Sequence, residues 1–203
     1  MKDELFDSLP GAAPGALDRL RSRLVGAARQ EGLVDVAYRT LPTPVGELLL
    51  AATETGLVRV AFTDGGEQEA VLAELAGEIS PRVLREPGRL DEVARQLDEY
   101  FAGRRRAFAL PLDRRLSHGF RRAAQERLSE IDYGRTASYA EIAAAAGSPR
   151  AVRAVGTACA TNPLPVVVPC HRVVRSDGSP GGYVGGTRAK AALLALESSA
   201  LSG

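Results

Sequence analysis

The chain has 203 residues, 45% hydrophobic and 25% charged, with 26 Lys and Arg against 25 Asp and Glu, which is ordinary globular material that can build one large cored domain or two small ones. Two cysteines and two histidines are too few for a disulfide framework or a four-ligand zinc site, so neither a bound metal nor a cofactor is expected. No apolar run approaches the roughly 18 residues of a membrane span, and Met1-Lys2-Asp3-Glu4 is too acidic to open a targeting peptide, so a cytoplasmic protein with no membrane partner is expected.

The near-neutral total hides a split. Residues 1–100 carry 11 Lys and Arg against 18 Asp and Glu, a formal −7, whereas residues 101–203 carry 15 against 7, a formal +8. The second half, with Arg104-Arg105-Arg106 and Arg114-Arg115, is therefore a candidate polyanion binder.

In chain order, Leu17, Leu20, Leu24, Val25 and Ala28 recur at helical spacing between Pro14-Gly15 and Gly32, which predicts an amphipathic helix in an N-terminal extension, residues 1–32. A small α/β domain is expected over 33–112. It opens with β-type stretches at Val34–Leu41, Glu47–Thr53 and Leu57–Phe62, broken by turn residues as in an antiparallel meander. Helical patterns follow at Glu67–Ile79 and Leu90–Phe101, and Ala107–Leu112 reads as one more strand. A mostly helical domain is expected over 113–203, with helices at Phe120–Ile131, Ser138–Ala146, Arg150–Ala160 and Thr187–Ser198. The middle pair, joined at Gly147-Ser148-Pro149, has helix-turn-helix spacing, and Ser138 with Glu141 three residues on predicts a capping box. The second helix of that pair is built from small residues, which permits close approach of another surface, inside the protein or outside it.

Asn162-Pro163-Leu164-Pro165-Val166-Val167-Val168-Pro169 then leads to Cys170-His171-Arg172-Val173. Three prolines among valines predict a buried, stiff, strand-like segment that presents the cysteine. Adjacent side chains on an extended segment face opposite ways, so the Cys-His dipeptide alone does not establish a catalytic pair. The glycine-rich stretch from Arg175 to Gly186 lacks the Gly-Lys-Ser/Thr ending and the strand-to-helix setting of a nucleotide loop, which excludes that reading.

Together with Ser138-Tyr139, Arg153-Ala154-Val155-Gly156, Asn162-Pro163 and Gly181-Gly182-Tyr183-Val184-Gly185-Gly186, the Pro-Cys-His-Arg-Val segment closely resembles the O6-alkylguanine-DNA alkyltransferases, direct-reversal DNA repair proteins. The resemblance runs from about Phe120 to Glu197 and fades upstream into a pattern of elements. It implies an α/β protein that moves an alkyl group from O6-alkylguanine, and from O4-alkylthymine, in double-stranded DNA to its own Cys170, once per molecule. It implies a Glu197-His171-water-Cys170 relay, a phenol at Tyr139 donating to guanine N3, and Asn162 bracing the cysteine loop. The carbonyls of Cys170 and Val173 would accept from the guanine amino group, with Tyr183 walling the pocket and the Val184 amide facing O6. Arg153 would fill the space left by the flipped nucleotide, on a helix whose Ala151, Ala154 and Gly156 meet DNA alongside Ser138 and Ser176. A monomer is expected, with cooperative binding along DNA an open alternative. Two departures from the family pattern stand out: Ala123-Ala124 where relatives carry a bulkier apolar pair, and Cys159 where a larger apolar side chain is usual. The competing readings are a sensor that binds alkylated DNA without repairing it, which the presence of Cys170 disfavours, and a Cys-His hydrolase, for which no oxyanion hole can be read.

Overall fold

The computed structural model describes residues 16–199; residues 1–15 of the expected extension and residues 200–203 lie outside the described part. The chain divides into two compact units, one ending at Val34 and one from Asp35 onward. The described part of the first is the helix α1 (Ala16–Gln30), stopped at Gly32, whose φ of +63° is the left-handed conformation that ends helices.

The second unit opens with the expected meander. β1 (Val36–Thr43), β2 (Gly46–Ala52) and β3 (Leu57–Phe62) pair antiparallel in sequence order. A short β4 (Val83–Arg85), not anticipated, adds parallel to β1 after α2 (Gln68–Glu78), giving the order β3-β2-β1-β4. Alternation along β2 divides the sheet's two faces. Leu49 and Ala51 join Val36, Val58, Val71 and Leu75 in a small cluster under α2. Leu48, Leu50 and Ala52 join a larger core with Leu97 and Tyr100 of α3 (Asp91–Phe101) and with the helical half that follows.

That half holds α4 (Gly119–Leu128), α5 (Tyr139–Ala145), α6 (Val152–Ala160) and α7 (Gly186–Ser199). Leu128, Ile142, Val155, Cys170 and Leu193 share the large core with the sheet, so one continuous apolar interior serves both halves of this unit. The capping box forms: Ser138 Oγ accepts from the Glu141 amide (3.2 Å) and Ser138 N donates to Glu141 Oε2 (2.6 Å). Before it, β5 (Ala137–Ser138) pairs parallel with β6 (Val173–Val174), which ties the start of α5 to the segment after Cys170.

Two expectations are corrected. Ala107–Leu112 is not a strand. Phe108, Leu110 and Leu112 do pack on the core, but Pro111 has no N–H to give, and Ala109 is paired by a side chain instead: it donates to Gln96 Oε1 (2.8 Å) and accepts from Gln96 Nε2 (3.1 Å). Pro163–Pro169 is not strand-like either. It is a buried turn in which Val168 N bonds Leu164 O (2.8 Å) and Val166 adopts φ +71°. A left-handed β-branched residue is costly and persists only where its surroundings hold it.

The linker reaches the sheet at one point. Leu57 N donates to Pro111 O (2.9 Å), Asp113 N to Leu57 O (2.9 Å) and Thr53 Oγ1 to Asp113 Oδ2 (2.6 Å). Gly56, at φ +147°, lies so close that a Cβ there would sit 2.2 Å from the Pro111 carbonyl oxygen. Backbone cannot retreat as a flexible side chain can, so Gly56→Ala should destabilise by about 2–4 kcal/mol. Thermal unfolding checks this, with a fall in Tm of roughly 5–10 °C expected.

Candidate active site

Asn162 anchors the turn that carries the cysteine. Its Oδ1 accepts from Leu164 N (3.1 Å), and its Nδ2 donates to Val168 O (2.9 Å) and to Cys170 Sγ (3.1 Å). Val60 N of β3 donates to Pro163 O (2.8 Å), which fixes the same turn to the sheet. Cys170, His171 and Arg172 then form one turn of 3₁₀ helix. This corrects the picture of an extended Cys-His pair, because successive residues in such a turn are about 120° apart.

His171 and Arg172 both use that turn to reach Glu197 of α7, 1% exposed. Glu197 Oε1 accepts from His171 Nε2 (2.9 Å), Arg172 Nη2 (2.9 Å) and Tyr100 Oη (2.7 Å), and Oε2 accepts from Arg172 Nε (2.9 Å) and the Gly134 amide (3.0 Å). Burial would raise this carboxyl, but the donors, His171 and Arg172 foremost, outweigh it and hold it at about 2. A carboxylate has no proton to give, so His171 Nε2 must carry the hydrogen and Nδ1 is left with its lone pair. Nδ1 is buried with no hydrogen-bond partner among the described residues. Burial lowers the His171 pKa, with Glu197 opposing, so the imidazole is neutral at neutral pH.

Burial also governs the thiol. It pushes Cys170 up to about 11, against the Asn162 hydrogen bond and the charge of Lys190. The resting sulfur is therefore protonated, and a nucleophilic role requires a base. Lys190, fully buried on α7, donates to Val173 O (2.6 Å) and occupies one of that carbonyl's two acceptor positions.

Tyr139, half-buried at the start of α5, has its pKa raised by burial and then by Cys159 and Cys170, which keeps the phenol a donor. Gly181 faces it so closely that a Cβ there would be 2.3 Å from Tyr139 Oη. Tyr183 stacks edge-on to His171 at 6.2 Å and to Phe62 at 5.8 Å, while Val184 beside it is exposed.

The remaining candidates lie on the helix pair and on a surface turn. Ala151 caps α6, Arg153 is exposed and makes no ion pair among the described residues, and Ser176 sits in an exposed turn. Ala154 is half-buried, and a Cβ on Gly156 would meet nothing within 4 Å. At Gly156, then, the smallness of α6 does not serve internal packing. Cys159, by contrast, is buried, its thiol pushed up to about 12 by that burial, and it behaves as a small apolar side chain. Of the Ala123-Ala124 departure, Ala124 is fully buried in the core between the helices.

Two family models match the chain, one for the DNA-binding domain of 6-O-methylguanine DNA methyltransferase over residues 119–199 and one for its ribonuclease-like domain over residues 36–114. A constitutive methylated-DNA–protein-cysteine methyltransferase from Bacillus subtilis is 41% identical over 79% of this chain and 94% of its own length. The chain belongs to the 6-O-methylguanine DNA methyltransferase family. A methylated-DNA–protein-cysteine methyltransferase of Methanosarcina barkeri is 39% identical over 79% of the chain and 96% of its own. Among solved structures, the Mycobacterium tuberculosis O6-methylguanine methyltransferase superposes with a TM-score of 0.71 at 37% identity, over 81% of this chain and 93% of that one. A structure from the same organism in complex with DNA gives 0.70 at 36% identity, over 81% and 94%.

For a methyltransferase of this family the site contains four groups that sequence reasoning missed: Tyr100, Arg172, Lys190 and the Gly134 amide. Arg172 carried a signal, since an arginine next to a buried Cys-His pair needs a counter-charge. Tyr100 and Gly134 carried none, because they are 97 and 63 residues from Glu197 in sequence. Among the described residues no cluster of His, Cys, Asp and Glu could hold a metal ion.

Because the folded Glu197 carboxyl titrates at about 2 instead of its ordinary 4.5, its contribution to stability is complete above about pH 5 and is lost as pH falls toward 2. Glu197→Gln should flatten that acid limb in circular-dichroism titrations. At neutral pH it should destabilise the protein by about 3–5 kcal/mol, because it leaves the Arg172 charge buried without a partner.

Proposed function

We propose that this protein repairs double-stranded DNA by taking the alkyl group of O6-alkylguanine, and of O4-alkylthymine, onto Cys170 Sγ, as a monomer and once per molecule. The observation that carries the reading is a buried, protonated thiol followed in the chain by a neutral imidazole whose Nδ1 lone pair has no hydrogen-bond partner among the described residues. The names of its relatives, methylated-DNA–protein-cysteine methyltransferases, fit that chemistry. Two free thiols suit a reducing, cytoplasmic setting.

The step balances as a displacement at saturated carbon. The Cys170 proton passes through a bridging water to His171 Nδ1, and Glu197 stabilises the imidazolium. The thiolate then attacks the alkyl carbon, the carbon–O6 bond breaks, and its electron pair moves onto guanine. Tyr139 donates a hydrogen bond to N3 as charge develops there, and the displaced base takes up a proton to become guanine. The thioether left on Cys170 has no ready leaving path, which makes the reaction single-use. Asn162 holds Sγ in place, the carbonyls of Cys170 and Val173 accept from the guanine amino group, and Tyr183 and Val184 close the pocket.

DNA engages the helix pair. The open space at Gly156 and the unpaired Arg153 support close approach of a duplex to α6, with Arg153 entering the stack where the base has left. Ser138, Ala151, Ala154 and Ser176 are assigned contacts to the backbone. We also propose that residues 1–32 are an extension to a sheet domain at 33–112 and a DNA-binding, alkyl-accepting domain at 113–203.

Mass spectrometry after incubation with methylated DNA tests the acceptor: one methyl per chain on the Cys170 peptide is expected, and none with Cys170→Ser, while DNA binding persists. Stable complex formation with no thioether would favour a sensor.

Arg153→Ala separates flipping from chemistry. Repair of duplex DNA should fall by about 10–100-fold, matching a lost stacking contribution of a few kcal/mol, while reaction with free O6-benzylguanine stays close to wild type. Equal losses on both substrates would make Arg153 a support of the pocket instead.

A further inference from the structure

Tyr100 does not belong to the half of the chain that carries the reactive cysteine. It lies on α3, within the stretch matched by the ribonuclease-like model, yet its hydroxyl is 2.7 Å from Glu197 Oε1, the same oxygen that His171 Nε2 reaches. The ring is fully buried and cannot swing away. Phe101 and Phe108 hold it with centroids at 5.3 Å, and Tyr133 meets it edge-on at 6.0 Å. A tyrosine needed only for packing would be served by phenylalanine, whereas a phenol placed on a buried carboxylate adds a charge-assisted hydrogen bond.

We propose that Tyr100 is a positioning residue for alkyl transfer: its hydroxyl fixes the orientation of the Glu197 carboxylate and moderates how strongly that carboxylate draws on the His171 Nε2 hydrogen. This rests on the His171 relay proposed above. Three donors compete for Oε1. Each one withdraws electron density from it, so removing the phenol concentrates the carboxylate's attraction on the imidazole and makes the ring more basic. A more basic imidazole remains an imidazolium to higher pH, and in that form it cannot accept the thiol proton.

The other charged and titratable groups around the pair are accounted for. Arg172 from the 3₁₀ turn faces both Glu197 and His171, and Lys190 of α7 lowers the His171 pKa from the side of Cys170. Tyr133 and Tyr183 lie near Glu197 and His171 as neutral phenols raised by burial, and Arg106 lies over the Tyr133 ring, at 5.9 Å. None of these donates to Oε1 from the sheet-bearing half. Tyr100 does, and it is the one donor of the five whose strength can be changed without touching charge or backbone.

The test compares the full chain with tyrosine, phenylalanine and 3,5-difluorotyrosine at position 100, the last introduced at that site alone. Single-turnover alkyl transfer from O6-methylguanine DNA is followed across pH. Tyr100→Phe should slow transfer at neutral pH by about tenfold, within the ~1.5–3 kcal/mol of a hydrogen bond to a charged group, and move the acid limb of the profile to higher pH. DNA binding should stay within about twofold of wild type, since no effect on phosphate contacts is involved. Difluorotyrosine, a stronger donor of nearly the same shape, should move the limb to lower pH. Opposed shifts carry the proposal. Limbs that do not move, or that move in the same direction, overturn it and leave Tyr100 a packing residue. If Tyr100→Phe does not fold, the difluorotyrosine limb decides alone. A failure of the relay itself reads differently: Glu197→Gln would then leave the wild-type limb in place, and the Tyr100 role would fall with it.

Discussion

A single buried carboxylate organises this molecule. Glu197 takes five hydrogen bonds from four places in the chain: α3, the turn at Gly134, and two consecutive residues after Cys170. An ionised carboxylate in an apolar interior is costly unless charge and lone pairs are fully met, and Arg172 with its two contacts supplies the charge. The remaining donors are polar groups that burial alone would penalise. Each partner is therefore held where it is by the need of the others, and loss of one strands the rest.

The donors come from both halves of the second unit, so the site exists only when the whole unit is folded. β3 gives its Val60 amide to the cysteine turn, Phe62 stacks on Tyr183, and α3 reaches Glu197. A sheet domain that looks remote from the chemistry is thus one wall of the active site. The continuous apolar core makes this possible, because a rigid shared interior fixes distances between residues nearly a hundred positions apart.

Much of this was legible in the sequence. The meander, the capping box at Ser138, the helix pair and the closing helix follow from period, caps and turn residues, since each is a local pattern. Ala107–Leu112 misled because apolar alternation signals a packed face, not a ladder, and the Gln96 amide took the ladder's place. Pro163–Pro169 misled because three prolines stiffen a tight turn as well as a strand, and the side chain that holds it, Asn162, makes its bonds only once folded. β4 was missed because three residues are too few for any period to show. At the site, Cys170 and His171 stood out in the sequence, and Glu197 followed from the family resemblance. Tyr100, Gly134 and Lys190 are selected by three-dimensional proximity alone, and an ordinary Asp-Glu-Tyr-Phe helix end gives no sign of it.

The same burial that shapes the proposed relay also shields the thiol. With Cys170 1% exposed and its thiol at about 11, almost none of the sulfur is ionised at neutral pH, and a free electrophile that does not fill the base pocket meets neither an accessible nor an activated nucleophile. In the reading proposed above, reactivity is stored in the neutral His171, whose Nδ1 takes the thiol proton through a bridging water. A protein that spends its cysteine on one event gains from this arrangement, because every adventitious alkylation would remove a molecule from service. The cost is that the substrate must come to the sulfur, and a base inside a duplex cannot do so unaided. The small-residue surface of α6 and the site around Cys170 are in this sense two parts of one requirement: the deeper the thiol is kept for selectivity, the more completely the nucleotide has to leave the helix to reach it.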